Sequence, residues 1–147
     1  MIKKDSSKVT GSVNVIVRDE NGAVKQEFTV PNLVVDTGLD FIASRMEGTS
    51  SAVMSHMAVG TDNTAAGAAD TALGAEIARV ALTSSTVTDN AIAYVASYPA
   101  GTGTGALTEA GIFNADPAGT MLCRTVFAVI NKGAADSMTV TWTVTIS

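Results

Sequence analysis

The chain contains one cysteine, Cys123, and one histidine, His56. A lone thiol closes no internal disulfide, and one Cys with one His falls short of the four ligands of a structural zinc site. Positive charge is also scarce, with nine Lys and Arg scattered against fourteen Asp and Glu for a net charge of −5. Lacking a basic face to neutralise phosphates, the chain is not expected to bind nucleic acid. No stretch approaches the roughly 18 apolar residues of a membrane-crossing helix, so no membrane partner is expected. The start, Met1-Ile2-Lys3-Lys4-Asp5-Ser6-Ser7-Lys8, has no apolar run behind its lysines and does not read as a signal peptide, which points to synthesis in a cytoplasm. Aromatics number only seven, one Trp, two Tyr and four Phe, most at inward positions, which makes a sugar-stacking β-sandwich a remote reading.

What is abundant is Ala, Gly, Thr and Val, the usage of sheet surfaces that become covered. At 147 residues the chain fits one domain. The clearest strand is the last, where Val140, Trp142, Val144 and Ile146 alternate with Thr139, Thr141, Thr143 and Thr145. A period of two sends one set inward, so the Val/Trp/Ile face is expected in the core with Phe113 and Phe127, and the threonine face at solvent or a subunit contact.

Val13, Val15 and Val17 alternate before Asp19-Glu20-Asn21-Gly22, and Val24 to Val30 alternate after it, the pattern of a hairpin. Pro31 blocks further ladder pairing where it stands. Leu39, Ile42 and Met46 share a helical face, which predicts a short helix over about 37–46 capped by Asp36 or Thr37. Further strands are expected at 54–59, 77–87, 91–98, 105–113 and 121–130, with meander-like spacing, and 64–74 is too small-sided to anchor a core and reads as an ordered loop. The expected fold is mainly β, a single-domain antiparallel β-sandwich or barrel-like fold of about eight strands with one short helix. Residues 1–10 are a candidate flexible arm, 11–46 the hairpin and helix, and 54–147 a β-rich module.

No catalytic constellation stands out in the sequence, so neither an enzyme nor a cofactor is expected. Gly101-Thr102-Gly103-Thr104-Gly105 lacks the spacing of a dinucleotide or phosphate loop and reads as a hairpin connection. The triplets Thr61-Asp62-Asn63 and Thr88-Asp89-Asn90 read as turns, short of the carboxylates a calcium site needs. His56 shows no nucleophile pattern around it and reads as a strand or interface histidine. Glu109 is different, because a carboxylate inside the strand Ala106 to Phe113 is costly unless exposed or paired. Arg79 and Arg124 are the candidates to neutralise it, on the sheet or across a subunit boundary.

Three separated pieces carry a resemblance. They are Met57-Ala58-Val59-Gly60-Thr61 followed by Asp70 to Val80, then Leu107 to Ala115, then Leu122 to Phe127, with the closing Thr/Val alternation behind them. In order and spacing they resemble a module of tailed-bacteriophage structural proteins, including the particle-attached part of tail-fibre and tail-collar proteins. The resemblance covers roughly the last ninety residues. It implies a β-rich, oligomeric, non-enzymatic virion component whose matching residues serve packing and subunit contact. Because the chain stops at Ser147, directly after the strand and without shaft repeats or a receptor tip, a free-standing component is expected. A head decoration (cement) protein ranks first and a small tail, collar or baseplate adaptor second. The expected partners are copies of itself, with a trimer favoured, and the major capsid protein or tail and collar proteins.

Overall fold

The computed structural model describes residues 8–48 and 51–147. Ten strands and one helix follow in the order β1 (Val9–Arg18), β2 (Val24–Pro31), β3 (Leu33–Val34), α1 (Asp36–Glu47), β4 (His56–Gly60), β5 (Glu76–Ala81), β6 (Ser84–Thr88), β7 (Ala91–Tyr98), β8 (Gly105–Phe113), β9 (Met121–Lys132) and β10 (Ser137–Ile146). They form two antiparallel five-stranded sheets, sheet I in the order β2-β1-β10-β7-β6 and sheet II in the order β3-β9-β8-β4-β5. The fold is an open β-sandwich, not a closed barrel.

The alternation of the sequence sets the inner faces. Val13, Val15 and Val17 of β1, Val140, Trp142 and Val144 of β10 and Tyr94 and Tyr98 of β7 meet Met57, Val59, Leu107, Ile112, Leu122, Phe127 and Ile130 from sheet II. Phe127 lies against Phe28 with ring centroids 5.7 Å apart, and the Tyr98 hydroxyl donates across the layers to the Met57 carbonyl at 2.8 Å. Phe113, by contrast, is buried on the opposite face of sheet II with Val35, Ala58, Leu73 and Met121. Ile146 departs from expectation, since it is 51% exposed. It is the last residue of β10 and lines an open cleft beside α1, at an end where the inner face of sheet I lies open.

The count of ten against about eight has two sources. Residues 77–87 make two strands, because Leu82 donates its N–H to Ser55 beside β4 while the next residue, Thr83, donates to Val95 of β7. The chain thus changes sheets at that step. The other addition is the two-residue β3, paired with β9. Likewise the glycine-rich 99–104 stretch joins β7 in sheet I to β8 in sheet II, so it is a crossover between layers rather than a hairpin connection, and the meander is broken there. The first hairpin forms as expected, with Gly22 at φ 81° and the Asp19 carboxylate accepting the N–H groups of Asn21 and Ala23. Residues 1–7 of the candidate arm lie outside the described residues. Lys8 already exchanges both backbone hydrogen bonds with Ser147, and Val9 and Thr10 belong to β1.

Helix α1 lies within a residue of its predicted bounds, yet its N-cap is Val35 without a side-chain cap. The Ala68 carbonyl accepts the Asp36 N–H instead, and the Thr37 hydroxyl donates to the Met121 carbonyl. The contact stripe is also turned, with Phe41 and Ile42 packed on the core while Leu39 and Met46 are exposed. Gly38 explains the rotation, because it presses against the Leu122 carbonyl of β9 where any Cβ would collide with backbone. Gly→Ala inside a helix ordinarily stabilises. Here Gly38→Ala is expected to destabilise by about 1–3 kcal/mol through overpacking, read as a lowered urea midpoint.

Candidate functional site

On the outer face of sheet II, Glu109 of β8 is fully buried and Arg124 of β9 nearly so. Glu109 stands opposite Val126, which makes Arg124 its diagonal neighbour on the adjacent strand, within reach of a long side chain. Arg124 donates from Nε and Nη2 to Oε1 of Glu109 at 3.2 and 3.1 Å. Three backbone N–H groups complete the carboxylate's shell. Gly74 donates to Oε1 at 2.8 Å, while Asp62 and Ala75 donate to Oε2 at 3.0 and 2.8 Å.

Those donors belong to the loop 61–75, which the cluster fastens over the sheet. Its neck is closed by the Thr61 N–H to the Ala75 carbonyl at 3.0 Å. Arg124 also grips the far part, from Nη1 to the Thr64 carbonyl and to Oδ2 of Asp70, both at 3.1 Å. Asp62 adds a third carboxylate at 3.8 Å from Nη2. Next to the polar centre, Leu73 packs into the outer-face group with Ala58, Phe113, Met121 and Val35. A loop expected to anchor nothing therefore covers a small second core.

Two glycines permit this approach. A Cβ on Gly60 would stand 2.5 Å from Oε2 of Glu109, and one on Gly74 would overlap the Asp62 carboxylate. The Asp62 carboxyl is held below its ordinary range, first by the Thr64 N–H and hydroxyl that it accepts and last by the charge of Arg124.

Of the two arginines singled out in the sequence, Arg124 reaches Glu109 and Arg79 does not. Arg79 sits on β5, beyond β4, and binds Glu76 at 2.6 Å. Its Nη1 donates to the carbonyls of Ala115 and Ala118 at 2.7 and 2.6 Å, and its guanidinium lies 3.9 Å from the centre of the Phe113 ring. It clamps the 114–120 turn. Sequence reasoning missed Asp70, Gly60 and Gly74, whose roles depend on the loop's path. Asp62 keeps the turn role that its Thr-Asp-Asn setting predicts, through its bonds to Thr64, and adds its charge to the cluster.

Two other polar arrangements were not anticipated. His56 opens β4 with its Nδ1 2.8 Å from the hydroxyl of Ser55, so a serine does stand beside it, but among the described residues no carboxylate bonds to that ring. Lys132 is buried, with its ammonium donating to the Pro99 and Asp136 carbonyls at 3.1 and 2.7 Å, and burial lowers its pKa. The Asp136 carboxylate beside it binds Lys25 and the Gly133 N–H, which hold its pKa below the usual range.

No family model, curated protein or solved structure matches this chain.

Removing one partner of a buried ion pair leaves the other uncompensated, so Glu109→Gln and Arg124→Met are each expected to cost about 3–5 kcal/mol in urea unfolding. The double variant Glu109→Leu/Arg124→Met is expected to stay destabilised, because the N–H groups of Asp62, Gly74 and Ala75 lose their acceptor. Recovery of wild-type stability in the double variant would show that the loop does not need the carboxylate.

A pH dependence follows from Asp62. Its folded pKa is depressed, so its contribution is complete above the unfolded carboxylate value of about 3.9 and is lost as pH falls through the folded value. The difference in urea midpoint between the wild type and Asp62→Asn is expected to be constant from neutrality to about pH 5 and to vanish in stronger acid.

Proposed function

We propose that the chain is a non-enzymatic structural component of a tailed-phage virion, with head decoration as the first reading. The observation that carries the reading is spatial. The sequence pieces behind the resemblance fall on β4, on the second half of the loop with β5, on β8 and on β9, which are neighbours in sheet II. Within them lie Gly60, Asp70, Gly74, Glu109 and Arg124, the residues that build the cluster and make room for it. Pieces dispersed in sequence thus converge on one structural device.

The device suits contact work. Its buried charges are turned inward on backbone groups and on one another, and what they hold in place is a loop of small side chains over a sheet. A surface with little side-chain entropy to lose is favourable for packing against another protein. Repetition over many copies then supplies the strength that one small contact lacks.

The protein's partners on this reading are copies of itself, as a trimer, and the capsid protein. A tail, collar or baseplate adaptor is the second reading, favoured by the kinds of protein that the sequence pieces resemble. Quantitative mass spectrometry of purified particles separates the two, with hundreds of copies expected for head decoration and about a dozen or fewer for a tail part. Absence from washed particles would overturn both. Light scattering of the free protein is expected to give three times the 14.9 kDa chain mass.

A further inference from the structure

Each sheet has two edges, and among the described residues three of the four are protected by devices that prevent strand addition. On β2 stand Lys25 and Glu27, with a register shift at Val17/Arg18 opposite it and Pro31 at its end. β3 is two residues long and passes almost at once into α1. β5 carries the Glu76–Arg79 ion pair, with Arg79 fixed to the 114–120 turn, and its pairing with β4 shifts register at Val59/Gly60.

β6 has none of these. Its residues Ser84, Ser85, Thr86, Val87 and Thr88 are all exposed, uncharged and free of proline, and they pair with β7 in unbroken register. The two most exposed large apolar side chains described, Met46 at 85% and Val87 at 69%, lie together on this side. With Phe41, Ile42, Ile92 and Ile146 they line a mainly apolar cleft of about 370 Å³ between α1 and the end of sheet I, to which Arg45 and Asp89 also contribute.

We infer that β6 is a contact strand for a second copy of this chain, pairing antiparallel about a two-fold axis at Thr86. The inference rests on the reading of the chain as a self-associating particle component. The strand is complementary to itself. Thr86 falls opposite its own counterpart, Ser84 opposite Thr88 and Ser85 opposite Val87, so hydroxyls face hydroxyls along one side and no like charges meet between the paired strand residues. On the other side, Val87 and the cleft rim of each copy approach those of its partner.

Area sets the strength. Five strand residues span about 17 Å, too short an edge to bury by itself the about 800 Å² per partner of a stable pair. The contact is therefore weak in dilute solution and forms where copies are held side by side at millimolar effective concentration. It joins neighbouring copies laterally on a particle.

Cysteine cross-linking tests the register. In an antiparallel pair, Thr86→Cys places two thiols at disulfide distance across the axis. At millimolar protein under mild oxidant, most Thr86→Cys chains are expected to run as dimers on a non-reducing gel. Ser84→Cys alone is expected to remain monomeric, and a mixture of Ser84→Cys with Thr88→Cys to cross-link. If Thr86→Cys dimerises no faster than Glu20→Cys in the exposed hairpin, or Ser84→Cys alone matches it, the pairing is wrong. The same variants in purified particles separate the two ideas. Protein present in particles without a Thr86 cross-link overturns the β6 contact alone, whereas cross-linked protein absent from particles overturns the virion reading alone.

Discussion

Burying the Glu109 carboxylate is the constraint on which the outer half of this structure depends. A carboxylate in a sheet face loses water's hydrogen bonds and needs others in their place. Here Arg124 on the adjacent strand supplies two, and the N–H groups of Asp62, Gly74 and Ala75 supply three. The bonds act in both directions. The loop satisfies the carboxylate, and the carboxylate gives an irregular loop fixed partners that a run of Ala, Gly and Thr does not provide for itself. Leu73 is then held over Phe113 and Met121, and Ala68 is brought to the start of α1.

The two layers of the sandwich divide their tasks. Sheet I with the inner face of sheet II builds the main apolar core around Trp142, while sheet II uses its outer face for the ion cluster and the small second core. The edges divide in the same way. Charge, shortness and register shifts guard three of them, and β6 is left regular and neutral beside an apolar cleft. Each open edge is a route to uncontrolled association, and in this fold the guarding leaves one such route instead of four.

Much of this was legible from residue order. Period-two alternation identified the inward residues Val140, Trp142 and Val144, and one carboxylate within an apolar strand marked Glu109 as needing a partner. Which arginine it took was not legible, because Arg79 and Arg124 are chemically alike and only strand order puts β9 beside β8 and β4 between β8 and β5. The buried ammonium of Lys132 was hidden for the same reason, since its Pro99 and Asp136 carbonyl partners are placed by folding, whereas Ser55 adjoins His56 in the chain and only the side-chain rotamers decide their contact. Leu39 and Met46 fit a helical stripe, yet the close approach of Gly38 to β9 turned the helix and left them at the surface.

The sequence by itself determined the strand periodicity, the first hairpin, the helix and the need to compensate Glu109, because backbone geometry and desolvation act locally on every residue. Only the tertiary structure decided that 77–87 changes sheets at Leu82 and Thr83, that Ile146 lies beyond the covered part of its sheet, and that loop 61–75 closes over the cluster. Those outcomes turn on which strands become neighbours and where one layer stops covering the other. That information is shared among distant residues and is absent from any one segment.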